Sequence, residues 1–309
     1  MRILVLGSAA GGGFPQWNCR CANCERARNG DAAAAPRTQS SLAVTADGRR
    51  WFLLNASPDI RAQIAANPPL HPRAGLRDSP IAGVVLSNGD VDHVAGLLSL
   101  REGQPLAVYA TVRVHEILRG NNIFNVLNPA LVERREMRLD VPLDLAGPDR
   151  SPTGLRVSAY AVPGKIALYA EDPSAGPGLG TRPGDTVGLE IEAVATGARF
   201  HYLPGCAAMP PELAARLAGA ELAFFDGTLW RDDEMVDAGL GAKTGRRMGH
   251  MSVSGEAGSL AAFAPLGVKR KVFVHVNNSN PMIVDGSPER RAVEAAGWQV
   301  AYDGMSIEL

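Results

Sequence analysis

Short apolar runs, separated by segments rich in Gly, Pro, Asn and Asp, recur from one end of the chain to the other. Runs of this length between turn-forming residues are typical of β-strands, and continuous apolar runs predict strands that are buried on both faces. The predicted strands cover residues 2–6, 41–45, 51–55, 81–86, 106–110, 155–161, 186–191, 199–203, 222–226, 271–275 and 299–301.

Stretches with helical spacing of apolar residues lie between these strands. The predicted helices cover residues 58–67, 93–99, 112–119, 211–218, 254–263 and 288–296, the last ending at Gly297. Strands occur in both halves and no long low-complexity linker divides the chain. This order predicts one α/β domain over residues 1–309, with two packed sheets covered by helices. The Gly- and Pro-rich residues 165–185 predict a long surface loop that could act as a lid.

Composition narrows the class of protein. The 309 residues are 46% hydrophobic and 20% charged, as in an ordinary globular protein, and the net charge of -1 favours neither nucleic acid nor an anionic membrane as partner. No apolar stretch approaches the roughly 18 residues of a membrane span. The apolar N-terminal run leads into glycines and cysteines without a cleavage site, so we predict a cytoplasmic protein. The sequence leaves a homodimer open.

Asp92 and His93 are the first candidates for metal chemistry. They belong to the segment S-N-G-D-V-D-H, residues 87–93, which follows the predicted strand 81–86. Adjacent side chains in an irregular loop can point at one ion, and loops past strand ends often carry functional groups. An equally simple interpretation is a turn at residues 88–90 with Asp92 capping the following helix. Spacing alone leaves both open.

Residues 87–96 resemble the metal-binding loop T-H-x-H-x-D-H of the metallo-β-lactamase superfamily, with Asn88 and Asp90 in place of its first two histidines. Within that superfamily, seven stretches spread over the chain resemble the coenzyme PQQ synthesis protein B family. They are residues 7–13, 15–21, 37–41, 54–61, 88–103, 225–228 and 275–278. The resemblance implies an αββα sandwich of two mixed sheets flanked by helices, similar to phosphodiesterases that carry an extra Cys-rich zinc site.

The same resemblance implies which metal ligands are kept. Metal one of the dinuclear hydrolases has lost its ligands, because Asn88, Asp90 and the His-free residues 162–165 stand in their places and Gly205 replaces the bridging Asp. Metal two keeps its ligands, which the resemblance assigns to Asp92, His93 and His275. Asn88 and Asp90 remain additional candidates near the metal.

Two histidines and one carboxylate with open positions are the ligand set of non-heme Fe(II) oxygenases. Zinc fits the same three ligands. The resemblance implies an iron-dependent enzyme of pyrroloquinoline quinone (PQQ) biosynthesis that uses O₂ to hydroxylate the tyrosine ring of a Glu–Tyr-derived precursor. Two alternatives stay open: a carrier that takes PQQ or its precursor towards the periplasm, and a residual one-metal zinc hydrolase.

Cys19, Cys21 and Cys24 form a C-x-C-x2-C cluster that suits a structural zinc site. The alternative is three buried, reduced cysteines. The resemblance places Asn278 where relatives have the fourth ligand, although Asn is a poor zinc ligand. By the same analogy, the isolated Cys206 falls near the active-site metal.

His250 and Asp226 are the candidate catalytic residues. Resemblance implies that His250 moves a proton, and Asp226 ends a strand where this fold places site loops; a capping role is the alternative for each. The implied substrate carries several carboxylates, which cationic side chains would bind. Candidates for that role are Arg37, Arg61, Arg101, Lys243 and Arg247.

Overall fold

The computed structural model describes residues 1–176 and 178–309. Its strands are β1 Arg2–Gly7, β2 Ser41–Thr45, β3 Trp51–Leu54, β4 Ile81–Val85, β5 Leu106–Ala110, β6 Val132–Glu136, β7 Leu143–Ala146, β8 Pro152–Ala161, β9 Val187–Ala193, β10 Arg199–Leu203, β11 Leu222–Asp226, β12 Arg270–Val274, β13 Trp298–Val300 and β14 Ser306–Glu308. Its α-helices are α1 Ala22–Arg28, α2 Ile60–Ala66, α3 Val91–Val94, α4 Val112–Gly120, α5 Pro211–Leu217, α6 Glu234–Asp237, α7 Gly245–Met248, α8 Ser259–Phe263 and α9 Pro288–Ala295.

The strands form two mixed seven-stranded sheets. Their orders are β14-β1-β2-β3-β4-β5-β6 and β13-β12-β11-β10-β9-β8-β7. Strands β3 to β6 run parallel in the first sheet, and β10 to β13 run parallel in the second. The predicted pair of packed sheets is therefore confirmed.

Alternate side chains of a strand face opposite sides of its sheet, and this accounts for the layers of the fold. In β1, Ile3 and Val5 belong to the apolar cluster between the sheets, whereas Leu4 and Leu6 belong to the cluster on the outer face. Helices cover both outer faces: α2 and α4 contribute buried side chains on the first sheet, and α5, α8 and α9 do so on the second. Because each strand face meets another layer, the strands read as continuous apolar runs.

Several predicted elements differ from the structure. The helix expected at 93–99 is α3, which begins at Val91, followed by a 3-10 turn over Ala95–Leu98. The helix expected at 254–263 shortens to α8, because residues 254–258 form turns. Strands β6, β7 and β14 and helices α1, α6 and α7 were not predicted. All three strands have partly exposed polar positions, and they lie at the sheet edges, where burial does not impose a continuous apolar run.

One edge of the sandwich collects the ends of β1, β4, β10, β11 and β12. Parallel strands place the loops after their carboxyl ends at the same edge. Single β-bridges join Ala9 to Val276 and Asn88 to Thr186, so loops of both sheets meet there. Within the described ranges, no helix has the length and apolar character needed to cross a membrane.

Candidate active site and metal centres

The loop before α3 is held by backbone contacts. The Ala56 N–H donates to the His93 carbonyl at 2.7 Å, and the Gly96 N–H donates to the Ala56 carbonyl at 2.9 Å. A Cβ at Gly96 would lie 2.2 Å from the Ser57 carbonyl oxygen, so only glycine permits this approach. The glycine that trails the motif therefore has a packing role: it lets the loop sit against residues 56–57 in one position.

Asp92, His93 and His275 converge at this edge. The Asp92 Oδ2 atom lies 2.9 Å from His275 Nε2 and 3.7 Å from His93 Nε2, and one donor atom of each residue lies within 4.8 Å of the others. His275 follows β12 with a left-handed φ of 57°, a strained conformation for a residue with a Cβ. Asp92 therefore faces the two imidazoles and does not cap α3, so the simple turn-and-cap interpretation is wrong.

The donor atoms of this triad fit a metal ion. His93 donates from Nδ1 to the Asn88 side-chain oxygen at 2.7 Å, and His275 Nδ1 lies 2.8 Å from Thr228 Oγ1. These partners leave the Nε2 lone pairs for a ligand, as metal-binding histidines require. In the described part of the chain, the buried His93 Nε2 has no hydrogen-bond partner, which an ion between the three residues would correct.

The protonation states of Asp92 and His93 favour the same conclusion, whereas the hydrogen bond to Asp92 raises the pKa of His275 against the effect of its burial, so an ion would have to replace a proton on that ring. Burial alone would raise the pKa of Asp92, but His93 and His275 hold that pKa well below its usual range. Burial lowers the pKa of His93, which keeps its ring neutral at neutral pH. A carboxylate and a neutral imidazole are the forms that bind a metal.

A second group, adjacent to the triad, is a hydrogen-bond network. His250 donates from Nδ1 to Asp226 Oδ2 at 2.7 Å, and the Cys206 N–H donates to the same oxygen at 2.9 Å. Thr228 donates from Oγ1 to Asp226 Oδ1 at 2.6 Å. Asp226 is fully buried and saturated, so it positions His250, whose ring stacks 5.2 Å from that of His275. The sequence analysis did not identify Thr228 as a site residue, because nothing in the neighbouring sequence indicates a hydrogen bond to a histidine 47 residues away.

The positions of the lost metal-one ligands have other tasks in this chain. Asn88 orients His93. Asp90 Oδ1 forms an ion pair with Lys165 at 3.2 Å and accepts the Leu168 N–H at 3.2 Å, and Asp90 is not among the residues whose donor atoms converge in the triad. A Cβ at Gly205 would lie 3.6 Å from His250 Cε1, so the ring occupies the space beside that glycine.

A cavity of about 370 Å³ opens at this edge. Apart from the triad and His250, its lining combines apolar side chains with amides and two lysines: Ala10, Gly11, Gln16, Asn88, Asp90, Lys165, Leu168, Thr228, Met235, Lys243, Met248 and Asn277. A Cβ at Gly11 would contact the Asp92 carboxylate at 3.5 Å, as expected for a turn that passes close to the site. Lys165 was not anticipated, since it reaches the site only through the fold.

The predicted substrate-binding cations are dispersed. Lys243 lines the cavity. Arg37 is buried and donates to the backbone carbonyls of Ala301 and Ile283, so its assignment to substrate was wrong. Arg101 is exposed and bonded to the Leu98 carbonyl, and neither it nor Arg61 lines the cavity. Arg247 forms a two-bond ion pair with Glu171.

The three clustered cysteines form a second candidate metal centre. The Sγ atoms of Cys19, Cys21 and Cys24 lie within 4.8 Å of one another, compatible with zinc–sulfur bonds of about 2.3 Å to one ion. The Asn278 side-chain nitrogen covers them at 3.1, 3.6 and 3.4 Å, so the amide donates to the sulfurs in this arrangement. The buried Cys206 is separate: its thiol donates to the Ala208 carbonyl at 3.1 Å. Its backbone, and not its sulfur, contacts the active-site network.

Asn88→Ala should weaken metal binding at the triad about 10- to 100-fold, because the His93 ring loses the partner that fixes its tautomer and orientation. Competition between the protein and a chelator for Co(II) would measure this change. Asn125→Ala, at an exposed position, serves as the control. Equal affinities of Asn88→Ala and the wild type would contradict this role.

Comparisons with known proteins agree with the geometry. The family model for the beta-lactamase superfamily domain matches residues 50–276. Coenzyme PQQ synthesis protein B from Gluconacetobacter diazotrophicus is 55% identical over 306 residues, covering 99% of this chain and 98% of that relative. Its counterpart from Rhodopseudomonas palustris is 54% identical, with both chains covered completely.

Solved structures give the same result. Zn²⁺-bound PqqB from Methylobacterium extorquens superimposes with a TM-score of 0.94 at 51% identity, over 100% of both chains. A diphosphatase of the PhnP family shares the fold at 20% identity, with a TM-score of 0.68 over 100% of this chain and 97% of that one. The chain therefore belongs to the beta-lactamase superfamily and, within it, to the coenzyme PQQ synthesis protein B family.

Proposed function

We propose that this protein is an iron-dependent oxygenase of PQQ biosynthesis that hydroxylates the tyrosine ring of a Glu–Tyr-derived precursor. The observation that carries the proposal is a set of two imidazoles and one carboxylate, Asp92, His93 and His275, at an open cavity. A neighbouring set combines Asp226, His250 and His275, but both oxygens of Asp226 already accept hydrogen bonds from the protein. Beside the triad, Lys165 and Asp90 form an ion pair where a hydrolase of this fold would need ligands for a second metal. Two-metal hydrolysis requires a pair of ions about 3.5–4 Å apart, so this arrangement favours one-metal chemistry.

The chain's own residues supply binding, orientation and proton transfer. Bound Fe(II) would supply activation of O₂, which the family of 2-His-1-carboxylate sites is suited to do. Asn88 and Thr228 hold the two histidine rings in position. His250 lines the cavity while its Nδ1 is held by Asp226, so its Nε2 is left to exchange a proton with the substrate.

The cavity suits an anionic aromatic substrate. Met235, Met248 and Leu168 provide an apolar wall for a ring and help to exclude water. Lys243 and Lys165 place positive charge at the same cavity, where substrate carboxylates need partners. A ring held between this wall and the triad would place one of its carbon atoms next to the metal site. The carboxylates of the substrate would then lie at the lysines and not at the metal.

The test is anaerobic loading with Fe(II), followed by the diamino-acid precursor, ascorbate as reductant, and O₂. We expect a product heavier by one oxygen atom, detected by mass spectrometry, with one O₂ and two reducing equivalents consumed for each hydroxylation. Zinc-loaded protein is the control and should yield no such product, because zinc has no redox chemistry.

Two other results would replace the proposal. Tight binding of the precursor or of PQQ without O₂ consumption would identify a carrier. Cleavage of a phosphodiester or peptide by the zinc-loaded protein would identify a residual hydrolase.

A further inference from the structure

Three cationic side chains and one paired carboxylate lie at or beside the cavity. Lys165 and Lys243 line the cavity itself, and Arg247 precedes Met248, which also lines it. Arg247 donates from Nη1 and Nη2 to the two carboxylate oxygens of Glu171, at 3.0 and 2.7 Å. This two-bond geometry is the arrangement in which arginine binds any carboxylate most strongly.

Glu171 is enclosed although it lies on a surface segment. Its side chain is 10% exposed, whereas that of Arg247 is 39% exposed. The hydrogen bond from Arg247 lowers the pKa of the Glu171 carboxyl, and the charges of Lys243 and Lys165 add to the effect. The carboxylate of Glu171 is therefore bonded to Arg247, while the two lysines add positive charge around it without contacting it.

The segment that carries Glu171 is fastened to the metal loop. Asp90 pairs with Lys165 at 3.2 Å and accepts the Leu168 N–H at the same distance. The Tyr169 hydroxyl donates to the Gly89 carbonyl at 2.5 Å. These contacts keep the beginning of the segment next to the triad, while the Glu171–Arg247 pair joins its continuation to α7 across the edge of the cavity.

The cationic side chains at this edge of the cavity outnumber their acidic partners. Lys165 has Asp90 as its partner and Arg247 has Glu171, but within residues 1–176 and 178–309 the Lys243 ammonium has no ion-pair partner. An incoming carboxylate could replace that of Glu171 on Arg247 with the same two bonds. A second carboxylate of the same ligand could pair with Lys243, which a single internal glutamate does not do.

We infer that Lys165, Lys243 and Arg247 form a carboxylate subsite and that Glu171 occupies it until a carboxylate of the substrate displaces it. The inference rests on the proposed function for the identity of the substrate, but not for the chemistry of the subsite. The ligand class is an aromatic polycarboxylate. Glu171 thus acts as an internal competitor that releases its segment from α7 when a ligand binds.

Titration of the full, zinc-loaded chain with benzene-1,3,5-tricarboxylate tests this inference by calorimetry. Glu171→Gln should lower the Kd about three- to tenfold, because removal of an internal competitor raises the fraction of free subsites. Lys243→Met should raise the Kd about tenfold, because one charge-assisted contact is lost. Added NaCl should weaken binding of the tricarboxylate more than binding of the neutral benzene-1,3,5-trimethanol, because salt screens the charges.

Matched controls lie at the opposite end of the sandwich. Glu308→Gln in β14 and Lys269→Met before β12 change the same charges and should leave the Kd unchanged. Unchanged or weaker binding by Glu171→Gln would overturn the displacement of Glu171. No binding of the tricarboxylate, or no effect of Lys243→Met, would overturn the subsite. None of these outcomes depends on iron or O₂, so failure here is distinct from failure of the oxygenase proposal.

Discussion

His93→Ala is expected to lose the metal from the triad and to form no hydroxylated product. His93 Nε2 is one of the three donor atoms that converge there, and two ligands hold an ion far more weakly than three. Loss of a partner outside the ligand shell already costs about 10- to 100-fold in metal affinity or activity, so loss of a ligand should exceed that range. Metal analysis of the purified variant and product mass after Fe(II) loading would measure both effects.

Removal of any buried imidazole can also disturb folding, so a matched control is needed. His115 is as buried as His93, its Nε2 bonds to the Arg135 carbonyl, and it does not line the cavity. His115→Ala should keep the triad metal, even with a lower melting temperature. Asp92→Asn provides a variant of nearly equal volume that should also lose metal. A His93→Ala protein that keeps full metal content and activity would refute the assignment of this ligand.

Cys21→Ser should lower the metal content by one equivalent and lower the melting temperature. Binding of a structural metal contributes directly to folding free energy, because the unfolded chain has no formed site. In a domain of this size about 1 kcal/mol corresponds to about 2–4 °C, so we expect a decrease of more than about 5 °C. Atomic absorption and thermal unfolding would measure the two quantities.

The same variant should also loosen the active site. Asn278, which covers the three sulfurs, lies three residues after the triad ligand His275, and its carbonyl accepts a hydrogen bond from Asn23 at 3.0 Å. A disordered cysteine cluster would release this segment and weaken metal binding at the triad, although less than His93→Ala does. Cys206→Ser is the control, since its thiol lies outside the cluster. If Cys21→Ser matched the wild type in metal content and stability, the zinc-site proposal would fail.

The fold could be predicted because most strands are buried on both faces and appear as continuous apolar runs. β4, for example, is buried at every position, and its prediction extended only one residue too far. The strands that were missed are of another kind. β6 carries four charged or partly exposed residues after Val132, and only the partner strand β5 identifies it as part of the sheet.

The candidate functional residues also differ in how far the sequence could identify them. Asp92, His93 and the three cysteines are close in sequence, so local spacing and family resemblance found them. Arg37 was misassigned because a sequence does not show whether a guanidinium faces a cavity or, as here, buried carbonyls. Lys165, Thr228 and Glu171 were missed because their partners lie 75, 47 and 76 residues away along the chain.

The sequence by itself predicted the layered fold and the clustered candidate ligands, because these depend on local composition and spacing, and its family resemblance implied the loss of a second ligand set and the pairing of Asp92 and His93 with His275. Only the tertiary structure decided that Asp226 and Thr228 hold His250 and His275, and that Glu171 pairs with Arg247 beside the cavity. The physical reason is that hydrogen bonds and ion pairs act over about 3 Å. Partners far apart along the chain come that close only when the parallel strands of both sheets end at one edge.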